Sequence, residues 1–398
     1  MRWTCREGDD NVRATRGTPL KSGFCVPVHE SAVGSGRIFP PASGTLGLAN
    51  WEETTDFARL RGSMKAVMER RAFIGTLAGG LFAGHLAGPA RAQPKARRLA
   101  FLTPRSRPSS PDHDAFSEAF VQGMRDLGYV EGANLVVEWR YANGNYKSLP
   151  DLAAEIIHLE PEVIVTYGTA AAQALKKATS SIPIVVAAAV DLVGSGIVES
   201  LRRPGGNVTG LSAIGVDLSP KHLELLRTAM PRLASVAVLI NPGNSTHPAV
   251  LKNVEAAAER LALKVVPTDA RVPNDIEGAF AVASRKGAGA VIVATDAFYS
   301  GQGPRLAAAS LKHHLPTISI YDESVQAGCL MSYGQNIAGF HRQAATYVDK
   351  ILKGARPADL PIEQPTTFEL AINLKAARAL GLTIPPSLLQ RADQVIES

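Results

Sequence analysis

Cysteine is scarce: the 398 residues hold only Cys5, Cys25 and Cys329. The first two lie ahead of the export signal described below. Loss of that leader leaves one cysteine and no intramolecular disulfide, so an oxidising compartment is permitted but not exploited. No Cys/His cluster has metal-ligand spacing, so no metal site is expected. Adjacent His313 and His314 point apart on a helix and read as surface or packing residues. Aromatics make up 6% of the chain, while Ala and Gly are plentiful, a mix suited to close packing of helices on sheets. An excess of positive charge is also missing where it would matter. Twelve of the 42 Lys and Arg and eight of the 36 acids fall in the first 92 residues, so residues 93–398 carry 30 basic against 28 acidic side chains. With no Lys/Arg block in that part, a nucleic-acid partner is not expected. Missing too are a nucleophile elbow, a P-loop and a His/Asp/Ser set at telling positions, so an enzyme is not expected. Gly194-Ser195-Gly196 lacks the third glycine and the spaced acid of a dinucleotide fingerprint, and no cofactor is expected.

The strongest local signal is a leader. Arg70-Arg71 precede an apolar, Gly-rich stretch at 74–90, and Ala90-Arg91-Ala92 forms a small-x-small cleavage site before Gln93. The paired arginines before Phe73 indicate the twin-arginine type. The competing reading is a membrane anchor, but the apolar run is short and mild. The residue after the cleavage site is Gln93 and not Cys, so a soluble periplasmic protein is expected rather than a lipid-anchored one. Residues 68–92 are therefore assigned to the signal. Residues 1–67 read as a disordered prefix or an over-extended gene start.

From residue 98 strands and helices alternate. Strand-like runs at 98–103, 135–141, 163–167 and 182–190 are separated by helical patterns at 115–127, 149–159 and 170–178. The rhythm resumes after Gly210, with helices at 221–230, 248–261, 275–285 and 305–313 and strands at 236–240, 265–268, 290–295 and 317–320. A strand at 329–333 and a helix at 339–352 follow. Two such series predict an α/β protein of two doubly wound parallel-sheet lobes joined by a hinge. Residues 93–212 form lobe 1 and 213–329 lobe 2. The stretch 330–355 is a candidate to return to lobe 1, and 356–398 to pack on lobe 2.

Parallel sheets place ligands at the carboxyl ends of their strands. The loops there begin at Thr103, at Tyr167-Gly168-Thr169, at Asp191 and, in the second series, at Asn241-Pro242-Gly243-Asn244, Asp296-Ala297-Phe298 and Tyr321. Plainer readings stand beside the functional ones. Thr169 is also placed to cap a helix, Asp191 and Asp296 are also turn formers, and Asn241-Pro242-Gly243 is a turn signal.

Several stretches resemble a known family. They include Arg202-Arg203-Pro204-Gly205-Gly206-Asn207-Val208-Thr209-Gly210 and Leu330-Met331-Ser332-Tyr333-Gly334. Others are Ile351-Leu352-Lys353-Gly354, Pro357-Ala358-Asp359-Leu360-Pro361, Gln364-Pro365-Thr366, Asn373-Leu374-Lys375 and Ala379-Leu380-Gly381-Leu382. From about residue 98 onward the sequence is similar to ABC-transporter substrate-binding proteins related to the tryptophan/tyrosine-binding receptors. The resemblance implies a type I periplasmic-binding fold, a monomer with a small-molecule ligand in the cleft, and an ABC permease as partner. It implies an amino-acid ligand, aromatic ones among the candidates. Its carboxylate would lie near Thr169, its ammonium at Asp191 or Asp296, and its ring on Tyr167, Phe298, Tyr321 or Tyr333, with Thr103 in a bordering loop. The rivals are a receptor feeding a signalling protein and an exported α/β enzyme.

Overall fold

The computed structural model describes residues 96–108 and 114–397. The prefix and the expected signal, with Arg70, Arg71, Ala90 and Ala92, lie outside the described residues.

Five parallel strands form the first sheet: β1 (Arg97–Thr103), β2 (Leu135–Tyr141), β3 (Val163–Tyr167), β4 (Ile184–Val190) and β5 (Val208–Ala213). Their order is β2-β1-β3-β4-β5. Both faces of this sheet are covered, so its central strands β3 and β4 are almost continuously apolar rather than alternating. The two faces are still separable by the period of two: Leu99 and Phe101 join one core, Ala100 and Leu102 the other. Helix α1 (Ala115–Asp126) lies on the first of these faces, burying Phe116, Phe120 and Met124 at helical spacing. It starts where it does because Asp114 accepts hydrogen bonds from the N–H groups of Phe116 and Ser117. Helices α2 (Leu149–His158) and α3 (Thr169–Ala178) cover the other face.

The second sheet has seven strands: β6 (Ser235–Ile240), β7 (Lys264–Asp269), β8 (Val291–Val293), β9 (Thr317–Ser319), β10 (Met331–Gly334), β11 (Glu369–Asn373) and β12 (Gln394–Ile396). They run in the order β12-β11-β10-β9-β8-β6-β7, parallel except for the β10–β11 pair. Helices α4 (Ser219–Ala229), α5 (His247–Arg260), α6 (Asp275–Arg285), α7 (Gly303–Lys312) and the short α8 (Asp322–Gln326) belong to this half.

The chain crosses between the halves three times. It leaves β5 for α4, then leaves β10 for α9 (Ile337–Leu352), which packs on α1 and the first sheet. It then returns to β11, followed by α10 (Leu374–Ala379) and α11 (Pro386–Leu389). Within the stretch 330–355, strand β10 therefore sits in the second sheet, and the helix is the part that packs on the first. Within 356–398, the chain lies along β5 as far as Glu363, whose carbonyl accepts from Ser212 N–H at 2.9 Å. It joins the second sheet only from β11.

Gly210 shows why β5 needs its sequence. Its φ is +129°, and a Cβ there would sit 2.1 Å from the Val186 carbonyl oxygen, where β4 shifts register. No side chain fits between the strands at that point.

Candidate functional site

The loops at the strand carboxyl ends face one another across the two sheets around a cavity of about 20 Å³. That is room for about one water molecule, so the lobes stand closer here than they would around a bound solute. The first half supplies Tyr146, the Tyr167-Gly168-Thr169 turn, Ala188–Val190 and Ala213. The second supplies Asn244, Thr295–Ala297, Ile320 and Tyr321, and Ile337 at the start of α9 completes the wall.

The two halves touch around this cavity. The Tyr146 hydroxyl donates to Asp296 Oδ1 at 2.5 Å, Arg105 Nη1 to Ser300 Oγ at 3.0 Å and Gln302 Nε2 to Ser106 Oγ at 3.2 Å. A Cβ on Gly168, with φ at +88°, would lie 2.6 Å from the Ala297 methyl. The cleft is closed.

Asp296 is the one residue of the cavity wall that carries a formal charge, and it is 1% exposed. It accepts from Tyr146, from Phe298 N–H at 2.8 Å and from Asn244 Nδ2 at 2.9 Å. A carboxylate offers about four acceptor positions, so one remains. His247 stands behind it, with Nε2 3.6 Å from Asp296 Oδ2. The Asn241 N–H donates to His247 Nδ1 at 2.7 Å, which leaves the proton on Nε2, where it is given to the Thr295 carbonyl at 3.1 Å. That imidazole is neutral, and burial lowers its pKa despite the opposing pull of Asp296. The Asp296 charge is thus balanced by hydrogen bonds and not by a cation, an arrangement that favours a cationic guest. The phenols around it stay protonated. Burial raises Tyr146 and Tyr321 well above the ordinary tyrosine range and pushes Tyr167 up to about 12.

Across the cavity α3 begins. Its N-cap is Gly168, which has no side chain to cap the first-turn N–H groups. Thr169 is not the cap expected from sequence. Its hydroxyl donates to the Val190 carbonyl at 2.8 Å and accepts the Val190 N–H at 3.1 Å, tying β4 to the helix start.

Of the candidates, the structure brings Tyr167, Gly168, Thr169, Asp296 and Tyr321 together at the cavity and leaves four off its wall. Thr103 is buried beneath the Arg105 turn, accepting from Arg105 N–H. Asp191 is exposed at φ +52°, its carboxylate accepting from Gly194 N–H at 2.8 Å, so here the turn-forming role prevails. Phe298 is buried against Tyr299, and Tyr333 stacks on Phe368. Tyr146 and Asn244 line the cavity without having been singled out. Tyr146 lies in the loop after edge strand β2, where no motif marks it in the sequence. Asn244 ends the Asn241-Pro242-Gly243 loop, whose turn signal carries no mark of a side chain directed at the cavity. Among the described residues no group of three or more His, Cys, Asp and Glu is placed to hold a metal ion.

A cleft between two parallel-sheet lobes, with polar groups at its ends, fits capture of a solute. Residues 108–396 match the pattern of the family described as ABC transporter substrate binding protein. The chain belongs to this family. A tyrosine-binding protein of Clostridioides difficile (strain R20291) is 25% identical over 273 residues, which are 68% of this chain and 78% of that protein. A conserved domain protein from Vibrio cholerae has a crystal structure 30% identical in sequence, with a TM-score of 0.69, covering 76% of this chain and 100% of that one. An ABC domain from Streptococcus pneumonia in complex with L-Trp is 26% identical, with a TM-score of 0.66, over 75% of this chain and 100% of that one. The substrate-binding family and the type I two-lobed fold read from the motifs agree with these matches. So does the expectation of a binding protein rather than an enzyme, since the matching family is one of substrate-binding proteins. Members of the family bind small ligands, serve ABC transporters and typically act outside the cytoplasmic membrane. No helix among the described residues is long and apolar enough to cross a membrane.

Proposed function

We propose that this ABC substrate-binding protein is the periplasmic receptor of an importer and that it closes over a zwitterionic amino acid, with aromatic L-amino acids the first candidates. The observation that carries this reading is the pairing across the cavity of a buried carboxylate on one lobe with an uncapped helix start on the other. The α-ammonium takes the remaining acceptor position of Asp296. The α-carboxylate takes the N–H groups at the start of α3, where backbone donors and the helix dipole favour an anion. Between them Ala188, Ala189, Ala213, Ile320 and Ile337 offer an apolar wall for the side chain. The named ligands of the relatives, tyrosine and L-Trp, support the same class. Export through Arg70-Arg71 with cleavage after Ala92, function as a monomer and hand-over to a permease complete the proposal.

Titration calorimetry with L-tryptophan and L-tyrosine, set against tryptamine and indole-3-propionate, tests the zwitterion. Each analogue lacks one of the two charges and should bind at least about 10-fold more weakly. Equal affinity for an analogue and its parent would sink the assignment.

A further inference from the structure

Rotation of the lobes has to be absorbed in the three crossings, because the segments on either side are pinned into sheets. On the first-lobe side, Glu363 is bonded to Gly210 and Ser212 of β5. On the second-lobe side, Gly334 of β10 pairs with Glu369 of β11. Between these rows lie only the residues after Ala213, the pair Gln335-Asn336, and residues 364–368. Gln335 stands on the middle crossing and is 5% exposed. Its Oε1 accepts the Ile214 N–H of the first crossing at 2.7 Å. Its Nε2 donates to the Pro365 carbonyl of the third. One buried amide thus bonds both of the other crossings. Its neighbour Asn336 accepts the Gly339 N–H at 2.7 Å, so α9 starts immediately afterwards with the cavity residue Ile337 in its first turn.

We propose that Gln335 is the positioning residue of the interlobe hinge: its amide binds the three crossings into one axis, so that they turn together when the cleft opens and closes. Groups on a rotation axis move least, so bonds placed there survive a movement that breaks contacts at the cleft mouth. Without the amide, the Ile214 N–H and the Pro365 carbonyl lose their partner, and each crossing is free to bend on its own. The inference rests on closure by rotation, whichever solute is bound.

The test measures interlobe distances by electron spin resonance. Labels go on cysteines placed at exposed Lys177 of α3 and Lys252 of α5, in a chain with Cys5 and Cys25 changed to serine. In Gln335→Leu the distance distribution without ligand should broaden, and the dissociation constant for L-tryptophan should rise about 5- to 150-fold, the range for two lost hydrogen bonds. Tyr146→Phe, which breaks a contact at the cleft, should shift the mean distance and leave the width alone. Gln335→Glu keeps the acceptor for Ile214 and loses the donor to Pro365. Its distribution should narrow as acid protonates the new carboxyl, a readout that stands even if the leucine variant does not fold. A lowered melting temperature with unchanged width in both variants would show Gln335 to be structural only and overturn the proposal. If L-tryptophan fails to bind the parent protein, the ligand assignment falls, while the widths still decide the hinge.

Discussion

At Tyr146 a phenol of the first lobe meets a buried carboxylate of the second at 2.5 Å, and burial next to Asp296 keeps that phenol protonated and donating. Hydrogen bonds to charged groups contribute about 1.5–3 kcal/mol. Tyr146→Phe should therefore weaken ligand binding about 10- to 100-fold by calorimetry, with most of the effect in the dissociation rate. Asp191→Ala makes the contrasting case. Its carboxylate serves the turn to Gly194, so the change should move the dissociation constant less than about twofold while lowering local stability. A large loss at Asp191 together with a small one at Tyr146 would invert this assignment. Side-chain direction is what the sequence hides here. The rule that ligands sit at strand ends selects the right loops. It does not say which residue of a loop turns inward, and so Asp191, Phe298 and Tyr333 were as eligible as Asn244.

Among the elements, the long alternating runs were legible because burial on both faces leaves apolar strands and amphipathic helices no other pattern. Strand β5, Val208–Ala213, was not legible: Gly210 and Ser212 dilute its apolar signal. The glycine is there because of the neighbouring strand, a tertiary cause that no local propensity reports. Gly168 is similar. Its glycine is required twice, by a φ of +88° and by the Ala297 methyl of the opposite lobe. Gly168→Ala should strain the start of α3 and wedge the cleft apart by the same atom. The expected outcome is a larger radius of gyration by small-angle X-ray scattering in saturating L-tryptophan, with at least about a 10-fold rise in the dissociation constant. A variant that closes normally on ligand would show that the methyl is accommodated elsewhere.

At the scale of the whole molecule, two lobes follow from two series of strands and helices, but their membership after Gly328 depends on crossings that leave no mark in composition. Burial of ionisable groups is equally global, and it sets how the fold responds to acid. His222 on α4 and His341 on α9 lie in different lobes, each bonded to a backbone carbonyl, of Tyr333 and Ile337 respectively. Burial lowers the pKa of both to about 4. Unfolded histidine titrates near 6.5, so between pH 6.5 and 4 the unfolded chain binds protons that the native one refuses. The stability from these two residues is complete above pH 6.5 and is lost as pH falls toward 4, by about 3 kcal/mol each. Glu323 works in the opposite sense. Burial, with Asp322 adding to it, raises its pKa to about 8, so its effect lowers stability as pH rises from about 4.5 to 8. Urea unfolding across pH 4–8 should therefore show a maximum near neutrality with a steep acid limb. His222→Gln places its amide to donate to the Tyr333 carbonyl but cannot bind a proton in the unfolded state. It should lower the acid-limb slope by up to about 1.4 kcal/mol per pH unit, one proton's worth. An unchanged slope would mean that His222 takes up its proton inside the fold, and that the acid limb comes from His341 and other groups instead.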